Sequence, residues 1–371
     1  MMNKQKIGVG IIGASPSNPY SWAVNSHIPS IKALADEYEL RAVSTSRQST
    51  AKDAEKKYGV PGFDNHLDLI NHAGVDLVVV TVKVPYHHEI ITAALDAGKM
   101  VFSEWPLGNG LDEAKELAKC AETAGTRTIV GLQARYSPVI RYARDLISEG
   151  YVGDVLGTTL VGSGMGWTGV TDRLNSYVYD KANGVTVLSV PIMHTLDALQ
   201  YVLGDFSTIS AEMVSNQTES LVADTNIIIP FTSPNHVSIV GTLTNGTAVS
   251  VFYRGGTSRG ENMRWEINGT KGDLVITAPS GHTQLAELKL QGGRNQEHRV
   301  EDLTVPEYYY GHHLPTGIPS NTARIYEHFA KDLRDGTYTT PDFAHALRQH
   351  KLLSVIETAS QTGMRQNLSF Y

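Results

Sequence analysis

Through residue 133, short and nearly continuous apolar runs alternate with longer stretches whose apolar positions recur every three or four residues. That alternation predicts strands and helices in turn, and strands apolar on both faces predict a parallel sheet covered on both sides. The strand-like runs are residues 7–12, 40–44, 77–82, 100–103 and 128–132. Between them, Leu111, Ala114, Leu117, Ala118 and Ala121 share one helical face, and Gly125 supplies the stop. A second helix over residues 89–97 stops at Gly98, and a third opens at Ser137-Pro138, a cap followed by proline, and closes near Gly150.

From Leu156 the texture changes to alternating strands with turn punctuation. Residues 237–243 and 248–252 flank Asn245-Gly246, a strong hairpin signal, and residues 265–267 lead into Asn268-Gly269 and Gly272-Asp273. One helix near residues 194–203 interrupts this region, and two more, over 321–334 and 343–362, close it. The expected architecture is therefore α/β: an N-terminal domain over residues 1–133 built on a parallel sheet, followed by an α+β domain over 134–371 with a largely antiparallel sheet.

Composition narrows the function classes. The 371 residues carry 31 Lys plus Arg against 38 Asp plus Glu, a net charge of −7 without any basic block, which argues against a nucleic-acid backbone or anionic membrane as partner. A single cysteine, Cys120, excludes an internal disulfide and any cysteine-based zinc cluster. The stretch from Met1 to Lys6 runs directly into a strand without the pattern of an export signal, and the longest apolar runs fall far short of the roughly 20 residues that cross a bilayer. A cytoplasmic protein that binds small molecules is expected. His87-His88 is the nearest approach to a metal-ligand pair and its spacing suits neither face of a helix, so no metal site is predicted.

The first strand ends in Gly8-Val9-Gly10-Ile11-Ile12-Gly13-Ala14-Ser15. Gly8, Gly10 and Gly13 match G-x-G-x-x-G, but they lie within the strand rather than at its end. The functional turn is placed at Gly13, Ala14, Ser15 and Ser17, ahead of a helix over residues 21–31 whose N-terminus would face a pyrophosphate. After the second strand, Thr45, Ser46 and Arg47 stand where an NAD-specific enzyme usually places an acid. These residues suit a 2′-phosphate or a plain ribose, and Arg47 reads equally as a solvated surface charge. NAD and NADP both remain open.

The segment VVTVKVPYH at 79–87, the run Ala93-Ala94-Leu95-Asp96-Ala97-Gly98-Lys99, and Ser103-Glu104-Trp105-Pro106-Leu107 resemble the Gfo/Idh/MocA oxidoreductases. QARYSP at 133–138, Tyr179-Asp180 with Asn183-Gly184-Val185, His194-Thr195-Leu196-Asp197 and GTKGDL at 269–274 are similar to its Gal80-type branch. The resemblance spans nearly the whole chain. It implies a Rossmann domain joined to an open-sheet domain, NAD(P) chemistry on sugars and cyclic polyols, and a homo-oligomer, dimer or tetramer. It also implies that Thr81, Val82, Pro85, His87, Glu104, Trp105 and Gln133 line the cofactor. Two departures stand out. The family's Glu-Lys-Pro is here Glu104-Trp105-Pro106, and its aspartate four residues before the histidine is Val190.

Oxidising an alcohol still requires a base for the hydroxyl proton. His194, with Asp197 three residues on to orient it, is the candidate, although a satisfied core histidine is the plainer reading. Lys83, after a buried strand and before Pro85, is the candidate replacement for the lost lysine if it is desolvated; otherwise it is a solvent-reaching loop lysine. Tyr179 and Glu104 complete the acid/base set. Arg135, Trp167, Tyr177 and the pair His312-His313 are candidates for packing against and hydrogen-bonding a sugar ring. Three functions follow: a sugar or polyol dehydrogenase, a redox glycosidase that oxidises transiently and returns its hydride, or a catalytically silent nucleotide-binding regulator.

Overall fold

The computed structural model describes residues 6–368, so most of the Met1 to Lys6 stretch discussed above lies outside the described residues. The chain forms two compact units: Met1–Leu132 with His312–Leu347, and Gln133–Gly311 with Arg348–Tyr371.

In the first unit, strands β1 (Ile7–Ile12), β2 (Tyr38–Ser44), β3 (Gly62–Phe63), β4 (Leu77–Val80), β5 (Met100–Glu104) and β6 (Thr128–Gly131) form one sheet in the order β3-β2-β1-β4-β5-β6. Every pairing is parallel. The direction of winding reverses between β1 and β4, which is where ligands collect in such sheets. Helices α1 (Ile28–Ala33), α2 (Gln48–Tyr58), α3 (His66–Ile70), α4 (His87–Asp96) and α5 (Leu111–Ala124) connect the strands. All four residues of β4 are buried, as expected of a central strand sandwiched by helices. Gly125 ends α5 in the left-handed conformation at φ 63°. Strand β3 and helices α2 and α3 are not among the elements that the apolar pattern above predicts.

The second unit contains α6 (Pro138–Ser148), α7 (Met193–Leu203), and strands β7 (Val155–Ser163), β8 (Val170–Thr171), β9 (Phe206–Val214), β10 (Glu219–Val222), β11 (Ile227–Pro230), β12 (His236–Leu243), β13 (Ala248–Arg254), β14 (Met263–Gly269), β15 (Gly272–Ala278), β16 (Lys289–Arg294) and β17 (Glu301–Asp302). With a short β18 (Gln366–Asn367), nine of these make a sheet ordered β17-β16-β15-β14-β7-β13-β12-β9-β18, antiparallel except for the β7–β13 pair. Strands β8, β10 and β11 form a small separate sheet. Along β13, Val249, Val251 and Tyr253 are buried while Ala248, Ser250 and Phe252 are exposed, the alternation of a sheet with one covered face. The predicted hairpin forms at Asn245-Gly246, with Gly246 at φ 88° and Thr242 paired to Ala248. Helix α7 is buried on nearly all sides, which explains why its composition lacks a polar face. It is entered through a π-helical turn, Leu188–Ile192, where Pro191 can donate no backbone hydrogen bond.

The division differs from a simple break at residue 133, because residues 312–347 return to the first unit. Helix α8 (Pro319–Asp335) is held there by side chains: Ser26 donates to Thr322 at 2.7 Å and the Tyr38 hydroxyl donates to the Tyr326 carbonyl at 2.7 Å. Buried Asp332 then ties the following loop by accepting from Thr337, Thr339 and Thr340, and the Val130 amide donates to the Pro341 carbonyl. Hydrogen bonding from these groups holds the Asp332 carboxyl well below the usual range, although burial opposes it. Helix α9 (Phe343–Thr362) begins in the first unit and ends in the second. Among the described residues, no helix is long and apolar enough to cross a membrane.

Candidate cofactor and active-site residues

Gly13 sits at the turn after β1 with φ 102°, and a Cβ there would lie 2.8 Å from the Thr81 hydroxyl and 2.9 Å from the Thr81 carbonyl oxygen. No side chain fits without displacing the end of β4. Gly8 and Gly10 are glycine for other reasons: a Cβ at Gly8 would meet the Gly74 carbonyl at 1.9 Å, and one at Gly10 would meet Leu69 at 2.7 Å. They serve helix and loop packing against the strand. The Gly13 and Ala14 amides donate to the Ser44 carbonyl, at 2.9 and 3.1 Å, which closes the turn. Beyond it, the amides of Ser15 and Ser17 donate to no protein acceptor among the described residues. A tight turn that leaves amides unpaired ahead of a helix suits an anionic oxygen.

At the end of β2, Thr45 is buried and its hydroxyl bonds the Arg47 carbonyl and Thr50, so it braces the start of α2. Ser46 and Arg47 are exposed. Thr81 is half-buried and its hydroxyl donates to the Ile12 carbonyl at 2.7 Å. Val82 is half-buried, Pro85 exposed, and Trp105 and Gln133 are buried. His87 is buried with one ring nitrogen 3.2 Å from the Leu107 carbonyl and the other 3.1 Å from that of Val82. Both nitrogens therefore face the protein, and burial lowers this imidazole's affinity for a proton. Lys83 is exposed, which removes the desolvation that its expected role required.

Glu104 ends β5 and belongs to a cluster that no local pattern announced. Its carboxylate lies 2.9 Å from Nε2 of His27, whose Nδ1 lies 2.7 Å from the hydroxyl of Tyr326. The three groups come from the turn before α1, from β5 and from α8.

In the second unit, Arg135 and Asp197 form a bidentate pair, Nε to Oδ2 at 2.7 Å and Nη2 to Oδ1 at 2.5 Å. Burial works against the Arg135 charge, but Asp197 outweighs it and raises the guanidinium's pKa. This corrects the expectation that Asp197 orients His194. Spacing of three placed both on the helix, yet an arginine from elsewhere supplies the stronger, forked partner. His194 is buried, its Nδ1 makes no hydrogen bond, and burial pushes its pKa down to about 3, with His282 adding to the shift and Asp197 opposing it. His282 is likewise buried, with Nε2 unpartnered and a pKa pushed down to about 4 by burial. Trp167 stacks on His282, ring centroids 6.2 Å apart and 13° from parallel, while its indole N–H donates to the Val178 carbonyl.

Tyr179 is buried, and its hydroxyl accepts from the Thr168 amide at 3.1 Å, so it braces a loop rather than presenting an acid or base. Tyr177 is half-buried, with a phenol made harder to ionise by burial. The histidine pair diverges: His312 and His313 are both exposed, and His313 reaches Glu327 at 2.7 Å in the first unit, whereas Arg135, Trp167 and Tyr177 belong to the second. Among the described residues, no group of three or more His, Cys, Asp or Glu side chains is placed to hold a metal.

The chain and its fold resemble known proteins. Residues 7–132 match the model of an oxidoreductase family with an NAD-binding Rossmann fold, and residues 138–278 match that of the Gal80p C-terminal domain. Over 309 residues the chain is 31% identical to the galactose/lactose metabolism regulatory protein GAL80 of Saccharomyces cerevisiae, spanning 78% of this chain and 70% of that protein. The chain belongs to the Gfo/Idh/MocA oxidoreductase family, with a Gal80-like C-terminal domain. It is also 30% identical over 293 residues to the dehydrogenase aclE of Aspergillus oryzae, covering 74% of this chain and 78% of that one. A levoglucosan dehydrogenase of Pseudarthrobacter phenanthrenivorans is 24% identical over 371 residues, with 92% of each chain covered. The crystal structure of a super-repressor mutant of Gal80p from Saccharomyces cerevisiae superposes with a TM-score of 0.88 at 25% identity over 98% of both chains. Within this family, a nicotinamide cofactor is the ligand of the Rossmann unit.

Proposed function

We propose that the protein is an NAD(P)-dependent oxidoreductase acting on a secondary hydroxyl of a sugar, glycoside or cyclic polyol. The observation that carries this reading is the pair of buried histidines in the second unit. His194 Nδ1 and His282 Nε2 each lack a partner. An unsatisfied buried polar atom costs about 1–3 kcal/mol, a cost that the hydroxyls of a polyol would remove.

When bound, a nicotinamide supplies the hydride acceptor. The turn at Gly13, with Ser15 and Ser17, would hold its pyrophosphate, Ser46 and Arg47 would meet the adenine ribose, and Glu104 would lie at the nicotinamide end. The chain must also take up the hydroxyl proton. His194 is the acceptor in this reading: burial pushes its pKa down to about 3, which leaves it unprotonated at physiological pH but a weaker base than a solvated imidazole. Arg135, fixed by Asp197, would donate hydrogen bonds to a neighbouring hydroxyl.

A second reading, the silent regulator, draws on Trp105 in place of the family lysine, on Val190, and on the similarity to GAL80. Incubation with NAD or NADP and a panel of sugars and glycosides separates the possibilities, recording nicotinamide absorbance and released aglycone together. Net cofactor reduction supports dehydrogenation, aglycone release without net reduction supports the redox glycosidase, and binding without any turnover supports the regulator. On a confirmed substrate, His194→Ala should lower turnover roughly 10²- to 10⁴-fold with cofactor affinity retained. Near-normal turnover in that variant, with loss in Lys83→Met, would move the base to Lys83.

A further inference from the structure

We infer that Tyr326 and His27 hold Glu104 as an oriented carboxylate, making the C-terminal end of β5 an anionic position that favours the oxidised, cationic nicotinamide over the reduced one. This rests on the reading above that a nicotinamide cofactor binds the first unit.

The cluster is built rather than incidental. His27 has no solvent exposure and the Glu104 side chain only 15%, so their 2.9 Å contact is largely shielded from water. The His27 ring is wedged edge-on between Phe102, centroids 4.9 Å apart, and Tyr326, 5.7 Å apart, which fixes its plane. The Tyr326 phenol keeps its proton, since burial raises its pKa well above the ordinary value and the nearby Tyr38 and Glu104 add to the shift. A phenol that donates to Nδ1 leaves Nε2 of a neutral imidazole carrying the hydrogen, and Nε2–H then donates to the carboxylate. The opposite tautomer would set a lone pair against the negative oxygens. With His27 neutral, as the inference requires, the three groups together carry −1, held at Glu104.

Room for the carboxylate comes from Gly131. It pairs with Glu104 across β5 and β6, and a Cβ there would lie 2.6–2.7 Å from the carboxylate atoms. In an open parallel sheet of this order, ligands bind beyond the carboxyl ends of the strands, and β5 lies on the β4 side of the switch point. A fixed negative charge there attracts a cationic ring and gives nothing to a neutral one. His27 and Tyr326 are positioning residues: they act on the cofactor only through Glu104.

The test is the ratio of dissociation constants for NAD and NADH (or NADP and NADPH, whichever pair binds), measured by calorimetry on the full chain. In Glu104→Gln, a substitution that keeps size and hydrogen bonding, binding of the oxidised form should weaken about two- to fivefold relative to the reduced form, the scale of one partly solvated charge contact. Tyr326→Phe, which leaves the backbone carbonyl that Tyr38 uses, should shift the ratio in the same direction by a smaller factor. An unchanged ratio in Glu104→Gln overturns the inference. Nitrogen-15 NMR of the histidine rings at pH 7 reads the cluster without any cofactor: the neutral Nε2–H form of His27 is expected. An imidazolium or an Nδ1–H tautomer in the unsubstituted protein overturns the inference even if cofactors bind. Absence of binding by any nicotinamide nucleotide, with the Nε2–H form present, would instead remove the cofactor reading.

Discussion

Acidification should destabilise the second unit by an amount set by its two buried histidines. Histidine titrates near 6.5 in an unfolded chain, whereas burial holds His194 at about 3 and His282 at about 4 in the folded one. Between these values the unfolded state binds more protons than the native state, so stability rises with pH and falls as pH is lowered through 6.5. From pH 7 to pH 5 the unfolded chain becomes almost fully protonated at both positions while the folded chain remains almost unprotonated. Integrating the proton difference gives about 2 kcal/mol for each histidine and about 4 kcal/mol for the pair. That is a large share of the roughly 5–15 kcal/mol by which a domain is stable. Buried His87, also lowered, pushes the first unit in the same direction. Urea unfolding at pH 7 and pH 5, followed by tryptophan fluorescence with Trp167 and Trp265 reporting on the second unit, measures the loss. The double variant His194→Gln, His282→Gln preserves bulk and polarity but cannot titrate, so its stability should fall by about 4 kcal/mol less over the same interval. Parallel losses in the variant and the unsubstituted protein would refute the reasoning, because the acid sensitivity would then arise elsewhere.

Gly13→Leu should weaken NAD(P) binding at least tenfold, about 1.4 kcal/mol, because its side chain collides with Thr81 and forces the turn open; unchanged affinity by calorimetry in a folded protein would remove the site. Arg47→Ala should weaken NADP but spare NAD, by roughly 1.5–3 kcal/mol if the guanidinium meets a 2′-phosphate, and equal effects on both would assign it to solvent. If His194 is the proton acceptor, kcat/KM on a confirmed substrate should show no break near pH 6.5, since its folded pKa of about 3 keeps it unprotonated well below that. A clear loss of kcat/KM centred at 6.5 would point to a solvated histidine instead.

Local patterning was enough to fix the two architectures. Residues 7–12 and 77–80 are built of apolar residues and glycine, and 128–131 differ only by Thr128, because both faces of a doubly wound sheet are covered, and that requirement acts on each strand separately. The change to alternation after Leu156, and the hairpin at Asn245-Gly246, are equally local, since a positive φ and a half-covered sheet constrain particular residues. Gly13 was legible for the same reason, and so was the exclusion of Gly8 and Gly10 from the turn, which depended only on where the strand ends. Tertiary structure alone decided the partners of the polar side chains. Helical spacing offered His194 as the partner of Asp197, and the fold gave it to Arg135, 62 residues away. His27 and Tyr326 are separated by 299 positions, and no periodicity relates a turn before α1 to the interior of α8. His282 sits in a loop with no pattern of its own, and only the packing of Trp167 and α7 around it shows that it is buried and without a partner at Nε2. The return of residues 312–347 to the first unit belongs to the same class. Backbone periodicity records which face of an element meets apolar surroundings, but hydrogen bonds between distant side chains depend on where whole elements come to rest, and a helical or strand pattern contains no term for that.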